Sequence, residues 1–208
     1  MTTKIIITRH GKSENPNKIW TGQIDVDLSK QGIVEAKILG HFLKDNYNID
    51  LIVTSDLKRA YKTADTISKI LNVKVIKIKD FREMNHGDVD GLTEKEFITK
   101  YPDILEAWKK DIDIRFPNGE NMEDLDKRVL PKFLELIEEN NGKTILFVLH
   151  KTVIFCIMGW FFKTPYAHRH RLKIDNCSIT EIEYRNRRDY KIVKLNDTCH
   201  FKLFKTSL

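Results

Sequence analysis

Cysteine is scarce in this chain: Cys156, Cys177 and Cys199 are the three among 208 residues. Their number is odd and no pair has Cys-x-x-Cys spacing, which argues against a disulfide framework and against a cysteine zinc site. The thiols are expected to be reduced and mostly packed. Long apolar runs are missing too. The longest, Val153 to Phe162, is about half the length a bilayer crossing needs, so it reads as a helix buried inside the protein and no membrane partner is expected. No basic leader with a small-residue cleavage site precedes the apolar Ile5-Ile6-Ile7, and the expected location is cytoplasmic. Charge of one sign is not concentrated. The net +6 comes from 36 Lys and Arg against 30 Asp and Glu, interspersed along the chain except at His168 to Lys173 and Arg185 to Arg188. Nucleic acid is therefore not expected as a partner, while a basic bias helps to steer small anions. Repeats, low-complexity tracts and linkers are absent from the sequence. With 41% apolar residues the chain can bury a full core, and one domain over residues 1–208 is expected.

What is present alternates. Short β-branched runs at Lys4–Thr8, Leu51–Thr54, Val73–Ile78 and Thr144–Leu149 read as strands covered on both faces. Between them, Ser29–Lys44 carries Ile33, Ala36, Leu39 and Leu43 as a helical stripe with Ser29 as N-cap, and Asp56 is expected to cap Leu57–Leu71. This rhythm predicts an α/β fold, a three-layer α/β/α sandwich with a mostly parallel central sheet, whose ligands gather beyond the carboxyl ends of the strands. The less regular Gly91–Glu120 reads as a small cap inserted over that active edge, with a short helix near Thr93–Lys100. Met122–Glu139 looks helical with a kink or break at Pro131. Two further strands are expected at Lys173–Tyr184 and Tyr190–Leu195, and an exposed edge near Ile179 or Ile192 offers a route to a homodimer.

Three reactive fragments fall at predicted strand ends: Arg9-His10-Gly11, Ser55 with Arg59, and His150. Cleaving a phosphomonoester takes a nucleophile, positive charge on the phosphoryl oxygens and a proton for the leaving alkoxide. A neutral imidazole such as His10 is nucleophilic at neutral pH, where a serine would first need a base. Gly11 lets backbone amides approach an anion. Arg59, in the first turn of its helix, adds a planar fork suited to phosphate oxygens where the helix dipole also favours an anion.

The set Thr8-Arg9-His10-Gly11 with Asn15, Thr21-Gly22 to Leu28-Ser29, Gln31-Gly32, Ser55 to Ala60, Thr63-Ala64, Glu83 to Gly91, Asn118-Gly119-Glu120 and His150 resembles the histidine phosphatase superfamily, the phosphoglycerate mutase-like family, from Ile5 to about Phe201. The resemblance implies that His10 becomes phosphohistidine and that Arg9, Arg59 and His150 surround the phosphoryl group. It implies that Glu83 protonates the leaving oxygen and then activates water. Gly22 and Asn15 are carried over as phosphate-binding positions, Asn15 only if one residue is missing after the Arg9-His10-Gly11 turn, with Asn17 as the competing candidate. Lys151 stands where the family often has glycine, and either touches substrate or faces solvent. No metal and no cofactor is called for, since arginines and a protonatable histidine supply the positive charge.

Glu83-Met84-Asn85-His86-Gly87 and the tail Lys194–Phe201 are similar to the phosphatase branch, the former to metal-independent phosphoserine phosphatases, with His86 near the substrate carboxylate or purely structural. The short interval Met84–Leu149 shows no arginine cluster of the kind a bisphosphate-dependent phosphoglycerate mutase carries. The expected activity is a metal-independent phosphomonoesterase acting on a small phosphorylated metabolite, phosphoserine being one candidate. The alternative is a 2,3-bisphosphoglycerate-dependent phosphoglycerate mutase.

Overall fold

Alternating faces of three buried strands set the layers. In the computed structural model, which describes residues 1–205, the strands are β1 (Thr3–Arg9), β2 (Leu51–Thr54), β3 (Val75–Lys77), β4 (Thr144–Leu149), β5 (Ile179–Asn186) and β6 (Asp189–Asp197). The last three residues of the domain expected over 1–208 lie outside the described residues. The sheet order is β3-β2-β4-β1-β5-β6. Its first four strands run parallel, and β5 pairs antiparallel with both β1 and β6. Ile5, Ile7, Val53, Ile145 and Phe147 point to one side, where α5 (Met122–Glu139) and α6 (Lys151–Phe162) cover them. Ile6, Ile52, Leu146 and Val148 point to the other, under α1 (Lys30–Asn46) and α2 (Lys58–Leu71). A strand buried on both faces needs this continuous apolar sequence, and the expected α/β/α sandwich with a mostly parallel sheet is what forms.

The cap section folds as α3 (Glu94–Lys100), closed by a reciprocal Thr93–Glu96 capping box, then α4 (Pro102–Lys109) and a loop to α5. A short α7 (His200–Lys205) follows β6.

Several local expectations are corrected. Asp56 does not cap α2: its carboxylate takes a two-pronged bond from Arg82 (2.7 and 2.6 Å), while Asp25, from another loop, accepts from Lys58 N–H at 2.7 Å. A guanidinium fork outcompetes a single local amide for a carboxylate. The strand expected over Val73–Ile78 pairs only at Val75–Lys77, and α5 runs through Pro131 without a break. The strand expected from Lys173 begins at Ile179, because residues before it turn to serve the end of β1. Ile179 is fully buried in an interior strand, so the free edge on that side belongs to β6, which carries Ile192. Cys156 and Cys177 are buried and Cys199 is exposed, all three unpaired.

The turn after β1 lies against the first turn of α1, and two glycines make that approach. A Cβ on Gly32 would stand 2.2 Å from the Lys12 carbonyl, and one on Gly11 would stand 2.5 Å from the Gly32 carbonyl. Gly40, further along α1, faces only the flexible tip of Ile70 at 2.7 Å. Gly32→Ala is expected to cost about 1–3 kcal/mol by forcing backbone apart, and Gly40→Ala less. Urea unfolding midpoints compare the two, and equal midpoints would contradict the close-approach argument.

Candidate active site

Register brings the reactive residues to one level. Arg9 of β1 pairs with Leu149 of β4, and Thr54 of β2 pairs with Val148 of β4, so His10, Ser55 and His150 leave the sheet side by side. The His10 amide donates to the Leu149 carbonyl (2.9 Å), and the Thr54 hydroxyl donates to the Val148 carbonyl (2.8 Å), which ties the three ends together.

His10 is 4% exposed, and its Nδ1 lies 2.7 Å from the Gly11 carbonyl. A carbonyl only accepts, so Nδ1 carries the proton and the lone pair sits on Nε2. Burial, then the charges of Arg59 and Arg9, push the ring's pKa well below its usual value, and His10 is neutral at pH 7. The His150 ring stands 5.2 Å from it, centroid to centroid. His150 meets the Ser55 hydroxyl through Nε2 at 2.6 Å, and burial followed by Arg59 keeps it neutral as well.

Two arginines close the cluster. Arg59 is 2% exposed, its fork held by the carbonyls of Gly22 (2.7 Å) and Ile24 (2.9 Å). Arg9 donates to the Ile174 carbonyl at 3.0 Å. Burial lowers both pKa values, and the charge of Glu83 opposes that at each, which puts Glu83 beside both. Arg9 Nε and His150 Nδ1 are buried with no hydrogen-bond partner. Buried polar atoms are almost always paired, so these two mark where a polyoxygen ligand would be bound.

Glu83 is held rigidly from both sides. Its carboxylate accepts Met84 N–H (2.9 Å) and Thr152 N–H (3.2 and 3.3 Å), the latter in the first turn of α6. Its carbonyl accepts from Gln23 and Arg128, both at 3.0 Å. Arg128 also reaches the carbonyls of Asp80 (2.6 Å) and Arg82 (2.9 Å) and pairs with Glu120, whose carboxylate in turn accepts Asn85 N–H at 2.9 Å.

His10, His150, Arg9, Arg59 and Glu83 are thus gathered in one cluster. Gly22 supplies a carbonyl to Arg59, and its φ of +28 with the Asp90 carboxylate 2.2 Å from a would-be Cβ explains the glycine. Asn15 spends its side chain on both main-chain groups of Ile19 (2.8 and 3.0 Å), and Asn17 is exposed. His86 binds Asp90 through Nδ1 (3.2 Å) and lies edge-on to Trp20 and Phe116. It borders an adjoining cavity of about 260 Å³ that Met84 and Thr152 join to the Glu83 carboxylate. His168 and Arg171 pair with Asp111 at the end of the cap. Residues missed from sequence include Ser55 as the partner of His150, Thr63, Asn176 and Arg128. The Thr63 hydroxyl accepts from Gly11 N–H (3.0 Å) and donates to the Arg59 carbonyl (2.7 Å), and Asn176 donates to the His10 carbonyl (2.6 Å). Ser55 and Thr63 lie inside fragments already singled out; Asn176 and Arg128 carry no local signal.

A buried neutral histidine, two arginines and a carboxylate in one cluster can hold a phosphoryl group, and a family model for the histidine phosphatase superfamily (branch 1) matches residues 5–198. The chain belongs to the histidine phosphatase superfamily. Within it, phosphoserine phosphatase 1 of Hydrogenobacter thermophilus is 32% identical over 203 residues, covering 97% of this chain and 95% of the relative. The 2,3-bisphosphoglycerate-dependent phosphoglycerate mutase of Cytophaga hutchinsonii is 36% identical over 163 residues, covering 74% and 75%. Among solved structures, Bacillus stearothermophilus YhfR superposes with a TM-score of 0.88 at 25% identity, covering 95% of this chain and 98% of that one. A mycobacterial glucosyl-3-phosphoglycerate phosphatase gives 0.84 at 25% identity, covering 95% and 100%. This histidine phosphatase is an enzyme of the phosphoric monoester hydrolase type. Among the described residues no helix is long and apolar enough to cross a membrane, and no three His, Cys, Asp or Glu gather as a metal-holding group.

Because positive neighbours and burial both oppose protonation, the His10 ring is expected to stay neutral as pH falls through 6.5 and to take its proton only well below that. An NMR titration of ring nitrogens reads both the midpoint and the Nδ1–H tautomer. A midpoint at or above 6.5 would contradict the site's electrostatics.

Proposed function

We propose that this histidine phosphatase hydrolyses a small phosphomonoester through a phosphohistidine at His10, without a metal, residues 1–208 acting as one domain. The observation that supports it most is the Nδ1 hydrogen bond to Gly11, which leaves a neutral ring with its lone pair on Nε2 near the buried Arg59 and the half-buried Arg9. In the first step Nε2 forms a bond to phosphorus, the ester P–O bond breaks, and protonated Glu83 gives its proton to the departing oxygen. Arg9 and Arg59 neutralise the phosphoryl oxygens, with His150 completing the pocket. In the second step Glu83, now a carboxylate, takes a proton from water while the water oxygen bonds to phosphorus. The P–N bond breaks, its electron pair returns to Nε2, and inorganic phosphate leaves.

Phosphoserine is the first substrate to assay, because relatives matched over nearly the whole chain carry that name, and His86, in the lining of the cavity, is the residue proposed to meet its carboxylate. Hydrolysis is favoured over the mutase reading by the cavity next to Glu83, whose walls are largely aromatic and carry no arginine that could hold a second phosphate. Isomerisation of 3-phosphoglycerate on addition of 2,3-bisphosphoglycerate is the result that would favour the mutase. Unpaired thiols fit a reducing compartment such as the cytoplasm.

Quenching the enzyme on a labelled substrate is expected to trap an acid-labile, base-stable phosphoenzyme, and His10→Ala to abolish both the adduct and turnover. An adduct that persists in His10→Ala would refute the nucleophile. Glu83→Gln is expected to slow alkyl phosphates by about 10²–10⁴-fold and p-nitrophenyl phosphate far less, since only the poor leaving group needs the proton. Equal losses on both substrates would contradict the acid assignment.

A further inference from the structure

On the phosphomonoesterase reading, the cavity lined by Met84 and Thr152, whose amides hold the Glu83 carboxylate, is the space open to the leaving group, and its lining is unlike what a small amino acid needs. Trp20, Trp108, Phe116, Phe155 and Tyr166 give it five aromatic walls. Its volume of about 260 Å³ falls just under the ~300–1,000 Å³ of sites for drug-sized ligands, which suits one ring. Three polar side chains of the lining, Asp113, Asn121 and His86, are already committed. Both oxygens of Asp113 accept amides of the first turn of α5, from Met122 (3.0 Å) and Glu123 (3.1 Å). Asn121 caps the same helix, and His86 is engaged with Asp90.

Of the other polar lining residues, Lys151, Thr152, Tyr166 and His170, only Lys151 brings an ammonium. It is the first residue of α6, directly between His150 and the Thr152 amide that binds Glu83. Its side chain is exposed and leans along the cavity wall, with Nζ 5.6 Å from the Phe155 ring centroid. Among the described residues no carboxylate stands within ion-pair distance of it. The rim therefore offers an ammonium to an incoming acid. Among the described residues the one carboxylate it offers an incoming amine is Asp113, both of whose oxygens already accept hydrogen bonds.

Taking the phosphomonoesterase reading as its base, we propose that Lys151 is a specificity-determining residue that selects a leaving group with a single flat ring and an acidic group, the ring lying among the aromatic walls and the acid pairing with Nζ beside Phe155. This class differs from phosphoserine in its body and in lacking an ammonium, which would meet Lys151 as a like charge.

Three aryl phosphates with similar phenols separate charge from leaving-group chemistry: 4-(carboxymethyl)phenyl, 4-methylphenyl and 4-(2-aminoethyl)phenyl phosphate, assayed beside phosphoserine. The full-length enzyme is expected to favour the carboxymethyl ester over the methyl ester by about tenfold in kcat/KM, as one charge-assisted bond implies, and to disfavour the aminoethyl ester. In Lys151→Met the carboxymethyl-to-methyl ratio should fall to about one, and Lys151→Arg should restore it. A ratio near one in the unaltered enzyme, a ratio that survives Lys151→Met, or phosphoserine turned over better than all three aryl esters would each overturn the proposal. Hydrolysis of none of the four substrates would overturn the phosphomonoesterase reading and this proposal with it.

Discussion

One hydrogen bond, from the His10 ring to the carbonyl of the next residue, governs what the rest of the site can do. It decides which ring nitrogen keeps its lone pair, and it fixes the plane of the ring relative to the strand ends. That carbonyl belongs to a turn that can lie where it does only because Gly11 and Gly32 let two backbones touch. The ring is thus oriented by backbone geometry rather than by a neighbouring carboxylate. Nothing near His10 needs to take its proton, because burial and positive charge already keep the ring neutral.

The same positive charge is costly to the folded protein. Arg9 and Arg59 are largely withdrawn from water, and each disfavours the other. Isolated charges in a low-dielectric interior are strongly unfavourable unless paired or hydrogen-bonded. Main-chain carbonyls of Gly22, Ile24 and Ile174 hold the forks, and Glu83 is the nearby opposite charge. A dianion entering the cluster relieves this tension, so part of the affinity for a phosphoryl group is stored in the empty fold. On the proposed mechanism Glu83 has two tasks that conflict unless its position is rigid, namely to offset the arginines and to reach the leaving oxygen. The Arg82–Asp56 and Arg128–Glu120 pairs on either side of its loop provide that rigidity.

Much of this was legible before any coordinates. Continuous apolar strands announced a sheet covered on both faces, and chemistry at strand ends placed His10, Ser55 and His150 on one edge. Arg59 was readable from its place in the first turn of a helix. What stayed hidden depends on contacts between distant segments. Asp56 has the local signature of a helix cap, yet a guanidinium from a loop 26 residues away claims both its oxygens. Arg128 looks like any charged residue on an amphipathic helix, and only the fold brings three carbonyls and Glu120 around it. Asn15 matches the family pattern by counting, but the structure shows its amide closing a turn with Ile19. The stretch before Ile179 reads as strand by composition, and it is bent instead by the need to deliver Asn176 and the Ile174 carbonyl to the end of β1.

That last delivery ties distant parts of the chain together. The His10 carbonyl is held by Asn176, 166 positions further on, and the arginine beside it by the Ile174 carbonyl, 165 positions from it. The end of β1 is therefore fully braced only when the segment before β5 has docked on it. Contacts this far apart in sequence are slow to form, so any local opening of the segment before β5 loosens His10 and Arg9 together.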